Sequence, residues 1–126
     1  LGILDGDEAV ALAATTTRHS RLLSIAVQPG QRMPARTTSL GRILLAHLPG
    51  ADDPESEAIR EAGHVITDGL YESGLRALGV PVRDHHGTVV ASLSIGVIAS
   101  QVSVEELRER CLPASLRAAE ELSEYV

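Results

Sequence analysis

The sequence predicts an α+β domain in which a mostly antiparallel sheet is flanked by helices. Three observations lead there. Strand patterns stand toward both ends of the chain with helical patterns between them, tight-turn dipeptides follow the strands, and one late helix carries a complete start signal. The chain has 126 residues, 44% hydrophobic and 22% charged, which is enough for one core and is read as a single domain over 1–126.

Leu1 to Leu4 reads as a strand, Asp5-Gly6 as a tight turn and Ala9 to Thr15 as the returning strand. Another strand is expected over 21–30, ending at Pro29-Gly30. Pro34 fixes its own φ and pushes Met33 toward extended geometry, so no helix runs through this point. From there Leu40, Ile43, Leu44 and Leu48 recur at helical spacing, and Thr37, Thr38 and Ser39 sit where an N-cap belongs. The stretch GADDPES is a polar connector. Ser56 is expected to cap a short helix that runs through Ala62 and stops at Gly63.

Residues 75–84 and 87–98 form the clearest pair of strands, joined by Asp84-His85-His86-Gly87. In the second strand Val89, Ala91, Leu93, Ile95 and Val97 share one face, which is a core face. Val90, Ser92, Ser94, Gly96 and Ile98 share the other. That face is small and partly polar, so it either meets solvent or lines a cavity. The last helix starts with the capping box Ser103 and Glu106, with Val102 stapling to Leu107. Leu107, Cys111, Ala118 and Leu122 extend its apolar stripe, and Pro113 is expected to kink or interrupt it.

Composition excludes several classes of function. Net charge is −6, and all eleven basic residues are dispersed arginines, so no electrostatic footprint for DNA is present. With no Phe or Trp and only Tyr71 and Tyr125, a stacking platform for single-stranded nucleic acid is also unsupported. The single Cys111 rules out an intramolecular disulfide and a cysteine-rich zinc site. No apolar run reaches a membrane span, and a reducing cytoplasm is the expected setting. His19, His47, His64, His85 and His86 are scattered without metal-ligand spacing, and no nucleophile elbow, phosphate loop or dinucleotide fingerprint occurs. The acidic run Asp52, Asp53, Glu55 and Glu57 reads as a solvated connector. No catalytic constellation and no cofactor or metal site emerge. The chain reads as a binder.

Three ordered blocks, LDGDEAVALA, PGQRMPARTTSLGRILLAHLP and EAGHVITDGLYESGLRALGVPVRDHHGTVVASLSIG, resemble the effector-binding domain of IclR-type bacterial transcription regulators. Gly30, Pro34, Gly41, Arg42, Leu44, Leu45 and Ala46 match the family pattern in the second block. Gly63, Gly74-Leu75-Arg76, Pro81-Val82 and Gly87 match it in the third. The resemblance implies a GAF-like fold, no enzymatic activity, assembly as a homodimer or tetramer, and a small catabolite as effector. That effector is often a carboxylic or aromatic acid, and DNA is reached only through an N-terminal winged helix-turn-helix domain that this chain does not include. The alternative is a GAF-like sensor of a signalling protein that does not bind DNA. Two departures stand out: the acidic residues expected near Gly69 and Leu70 are missing, and the connector over 50–57 is shorter than the family's.

A site follows from both lines. The start of the helix containing Leu40 offers unpaired N–H groups and a favourable field for an anion. An effector carboxylate is therefore expected against Thr38, Ser39, Leu40 and Gly41, with Ser94 and Ser92 facing it from the strand. Met33 and Leu23 are expected as apolar walls, and Arg36 as an added charge-assisted contact.

Overall fold

A computed structural model describes residues 1–14 and 28–126. Among the described residues six strands form one sheet: β1 (Gly2–Asp5), β2 (Glu8–Ala11), β3 (Arg32–Pro34), β4 (Val65–Asp68), β5 (Leu75–Arg83) and β6 (Val89–Ile98). Their order is β3-β2-β1-β6-β5-β4, and every described pairing is antiparallel. The β1–β2 turn contains Gly6 at φ 64°, as the Asp-Gly signal predicts. Most of the strand expected over 21–30 lies outside the described residues. Pro29-Gly30 does turn there, with the Gln31 N–H donating to the Gln28 carbonyl at 2.9 Å. β3 is instead the extended stretch that Pro34 enforces, and among the described strands it sits at the sheet edge, where a missing N–H is tolerated. Pro81 is accommodated likewise: the β4 pairing stops at Gly79, so no described strand pairs with that side of β5 at Pro81.

One face of the sheet is covered by the C-terminal helices α3 (Val104–Glu106) and α4 (Leu112–Leu122), joined by a π-helical turn over Leu107–Cys111. Leu78, Val97, Val102 and Leu107 form one core cluster here, and Val80, Val82, Ala91 and Ala119 another. The Ser103 hydroxyl accepts from the Glu106 N–H at 3.0 Å, so the expected cap is present, and Val102 and Leu107 meet as a staple. Pro113 does not break the helix. The turn before it widens, the Leu112 N–H reaching the Leu107 carbonyl five residues back. The extra residue rotates the buried stripe, so Ser115 and Ala119 are the buried positions of α4 rather than Ala118.

The other face carries α1 (Ser39–Ala46), preceded by a 3-10 turn over Ala35–Thr37, and α2 (Pro54–Ala62). Ile43, Ala46 and Ile59 pack together between these helices. Leu48 lies beyond the end of α1 and is half exposed. Two expectations for α2 need correction. Asp53, not Ser56, is the N-cap: its carboxylate accepts from the Ser56 N–H at 3.0 Å and the Ser56 hydroxyl at 2.7 Å. Pro54 then occupies the first turn, where its missing N–H costs nothing. These hydrogen bonds from Ser56 hold the Asp53 carboxyl below its ordinary range. The acidic run is likewise more than a solvated connector, since Glu55 pairs with Arg42 of α1. Arg60 adds a bond from its guanidinium to the Ala46 carbonyl at 2.7 Å. Gly63 ends α2 at φ 75°, as expected.

Candidate functional site

Small residues let the start of α1 lie directly on the sheet. Gly79 of β5 and Ser94 of β6 are cross-strand partners on the face beneath α1, and a Cβ built on Gly79 would stand 2.7 Å from the Ser39 carbonyl oxygen. Ser92, fully buried, donates to the Leu40 carbonyl at 2.9 Å. Gly41 is pressed on the Ala35 backbone, where a Cβ would lie 2.2 Å from the Ala35 Cα. Half of the small face of β6 is therefore used to seat a helix.

Thr38 is the N-cap of α1. Its hydroxyl accepts from the Gly41 N–H at 3.2 Å and donates to the Pro34 carbonyl at 2.9 Å. Replacing Thr38 with Ala is expected to cost about 1 kcal/mol, with Thr38→Ser close to the parent. Thermal denaturation of the two variants checks this, and equal losses in both would show that the methyl group matters rather than the cap. The Gly41 N–H being satisfied, the first-turn donors that the helix leaves without an intrahelical acceptor are those of Ser39 and Leu40. Beside them the Ser39 and Ser94 hydroxyls are 2.5 Å apart. Only one of the two protons is used in that contact. The other hydroxyl can donate outward, polarised by its neighbour.

One step further along the sheet no helix of the described residues covers the floor. Thr67, Ala77 and Gly96 form a cross-strand row, and Ala77 and Gly96 carry almost no side chain. Above them lies a cavity of about 440 Å³. Ser39, Leu40, Thr38 and Ser94 stand at one part of its wall, and Met33, Leu75 and Tyr71 are among its other lining residues. The walls are mainly aliphatic with a few hydroxyls, the usual make-up of a small-molecule pocket. Arg76 also borders the cavity: its Nη1 donates to the Ala99 and Val102 carbonyls and its Nη2, at 3.0 Å, to the Asp68 carboxylate, while its buried Nε has no hydrogen-bond partner among the described residues.

Of the residues expected from sequence, the fold thus gathers Met33, Thr38, Ser39, Leu40 and Ser94 around one cavity. Gly41 and Ser92 stand behind that wall, fixing α1 to the sheet. Arg36 borders a second, smaller cavity of about 260 Å³ between α1 and α2, with Arg42 and Glu55. Leu23 lies outside the described residues. Thr67, Tyr71 and Ala77 were not anticipated. Ala77 and Gly96 alternate with bulkier neighbours, a signal that becomes legible only once β4, β5 and β6 are in register. Among the described residues no three metal-ligating side chains cluster, and no helix is long and apolar enough to cross a membrane.

The family model described as "Bacterial transcriptional regulator IclR C-terminal" matches residues 53–124. The chain is 34% identical to the Pca regulon regulatory protein of Pseudomonas putida, covering 97% of this chain and 50% of that protein. It is 31% identical to the HTH-type transcriptional regulator XynR of Escherichia coli, covering 92% of this chain and 56% of that one. The chain therefore spans about half the length of the curated relatives it matches. The first match extends over 146 residues, more than this chain's 126, so that relative carries internal residues with no counterpart here. The solved C-terminal domain of the E. coli transcriptional regulator KdgR is similar with a TM-score of 0.76 at 26% identity, covering 98% of this chain and 83% of that one. A double mutant of the inducer-binding domain of the transcription factor PobR from Acinetobacter, in complex with 3-hydroxybenzoic acid, is similar with a TM-score of 0.85. Its identity is 24%, a likeness of fold, over 99% of this chain and 86% of that one.

Proposed function

The chain belongs to the IclR family of bacterial transcriptional regulators, whose C-terminal domain it carries, and we propose that it senses a small organic acid through the cavity beside α1. Its relatives are transcriptional regulators rather than enzymes. The observation that carries the reading is the juxtaposition of two unlike surfaces. The Ser39 and Leu40 N–H groups and the Ser39–Ser94 hydroxyl pair stand against a mainly aliphatic cavity of about 440 Å³. A carboxylate suits the first, because helix-start donors and their field favour an anion. The body of a monocarboxylic acid suits the second. That a domain of this fold was captured with 3-hydroxybenzoic acid supports an aromatic acid as one such ligand.

In this reading Thr38 and Gly41 hold the donors in place, Met33 packs on the ligand, and Ser92 fixes the helix to the sheet. Arg36 acts only at the neighbouring cavity. Binding would regulate transcription by favouring one of two global states of a homo-oligomer whose N-terminal domains contact DNA. The domain itself carries no basic stripe for that contact.

A thermal-shift screen of carboxylic acids tests the reading. At a concentration 100 times Kd a bound acid stabilises by about 2.7 kcal/mol, a rise of several degrees in Tm. Ser94→Ala is expected to reduce that rise without lowering the stability of the free domain by more than about 1 kcal/mol. Ser94→Leu is a poorer probe, because its bulk would push on Ser39. An equal rise in parent and Ser94→Ala would place the ligand elsewhere.

A further inference from the structure

Among the described residues, Tyr71 is the aromatic side chain that lines this cavity. The chain contains no Phe or Trp, and its other tyrosine, Tyr125, is 83% exposed near the C-terminus. Tyr71 sits on the loop over 69–74, between β4 and β5. Gly69 and Gly74 at its two ends have φ of 70° and 84°, a conformation that lets the chain reverse sharply. The base of the loop is closed by three backbone bonds. The Gly69 N–H donates to the Leu75 carbonyl at 2.8 Å, the Leu75 N–H to the Glu72 carbonyl at 3.1 Å, and the Ala99 N–H to the Gly74 carbonyl at 2.9 Å. The loop is thus anchored while its tip presents Tyr71 to the cavity. Tyr71 is 45% exposed, so it retains surface that an occupant can cover.

The sheet register gives the distance to be bridged. Ser94, Gly96 and Ile98 follow one another on the same face of β6, opposite Gly79, Ala77 and Leu75. Leu75 is where the loop rejoins the sheet. At about 3.3 Å per residue, the span from Ser94 to this last row is roughly 13 Å. A carboxylate held at Ser39 and Ser94 therefore directs the rest of the molecule over Ala77 and Gly96 toward the Tyr71 loop. A flat ring suits that floor, since Ala77 and Gly96 leave room for its face.

We propose that Tyr71 is the specificity-determining residue of this site. It contacts the ring of an aromatic monocarboxylic acid and makes the cavity prefer that ring to a saturated one of similar size. The proposal rests on the carboxylate reading above and adds to it the choice of ring. Ring–ring contact contributes beyond area burial by an amount worth about 3- to 10-fold in affinity, and a cyclohexyl ring lacks the quadrupole that earns it.

Calorimetric titration of the domain with benzoate, 3-hydroxybenzoate and cyclohexanecarboxylate tests this. The parent is expected to bind the better aromatic acid at least about 3-fold more tightly than the saturated one. Tyr71→Leu should erase most of that ratio with little change for cyclohexanecarboxylate, and Tyr71→Phe should keep it. An unchanged ratio in Tyr71→Leu overturns the proposal, and so does failure of both aromatic acids to bind at millimolar concentration. Ser94→Ala separates the two readings: it should weaken every acid that binds, whatever its ring. If it weakens none, the carboxylate site is wrong. If it weakens all while Tyr71→Leu leaves the ratio untouched, the site stands and the role of Tyr71 does not.

Discussion

Replacing Ala77 with Leu is expected to weaken binding of an organic acid by about 100-fold or more, equivalent to about 2.7 kcal/mol, while shifting Tm by only a few degrees. Ala77 belongs to the row beneath the open cavity, between Thr67 and Gly96. A leucine there projects into space a ligand would need, so the loss is steric and nearly complete. The domain itself has little reason to suffer. Overpacking costs about 1–3 kcal/mol where a core is already full, but here the added methyl groups enter a void and bury apolar surface. Titration calorimetry and thermal denaturation of the same preparation check both halves. Parent-like affinity in Ala77→Leu would mean that the cavity above β5 and β6 is not where the acid binds.

Gly41→Ala is expected to act in the opposite way, through stability. The added Cβ would lie 2.2 Å from the Ala35 Cα and 2.3 Å from the Ala35 carbonyl oxygen. Both are backbone atoms, so no side-chain rotation relieves the clash. The 3-10 turn and α1 must separate, and Ser39, Leu40, Ile43 and Leu44 are all buried against what lies below. A loss of about 3 kcal/mol or more follows, which for a domain of this size lowers Tm by roughly 10 °C. The ordinary helix preference for Ala over Gly, about 1 kcal/mol the other way, makes the sign informative. A parent-like or higher Tm would show that α1 does not lie as close to the turn as described.

Much of this was legible in the sequence because local chemistry decided it. Pro34 and the hydroxyls after it gave the extended entry and the cap of α1, and Ser103 with Glu106 gave the cap of α3. The readings that failed were those in which two neighbours could play one part. Asp53 and Ser56 are both good caps, and the proline at position 54 favours Asp53 because proline suits the first helical residue. Pro113 announced a disturbance, but whether it kinks the helix or widens a turn depends on packing against β5, which no local pattern carries. β4 escaped notice because four residues, Val65–Asp68, are too few for a periodicity and owe their conformation to pairing with β5.

The site was only half legible for a related reason. The small face of β6 signalled missing bulk, yet the sequence does not say what fills the space above. The fold divides that face. Ser92 and Ser94 seat α1, whereas Gly96 and its partner Ala77 are left under a cavity. Gly41, expected beside a ligand, is packed against the Ala35 backbone and is not among the residues lining that cavity. Tyr71 carried no motif and is distinguished by being an aromatic ring beside a cavity built mainly of aliphatic and hydroxyl groups.

The most direct measurement is a titration of the isotope-labelled domain with 3-hydroxybenzoate, followed through backbone amide resonances. If an acid is held at the start of α1, the Ser39 and Leu40 amide protons gain an anionic acceptor and should move downfield, with Ser94 and Ala77 among the other strongly shifted positions. If Ser39 and Leu40 stay in place while the largest changes gather at Arg36, Arg42 and Ser56, the acid occupies the cavity between α1 and α2, and the central claim is contradicted.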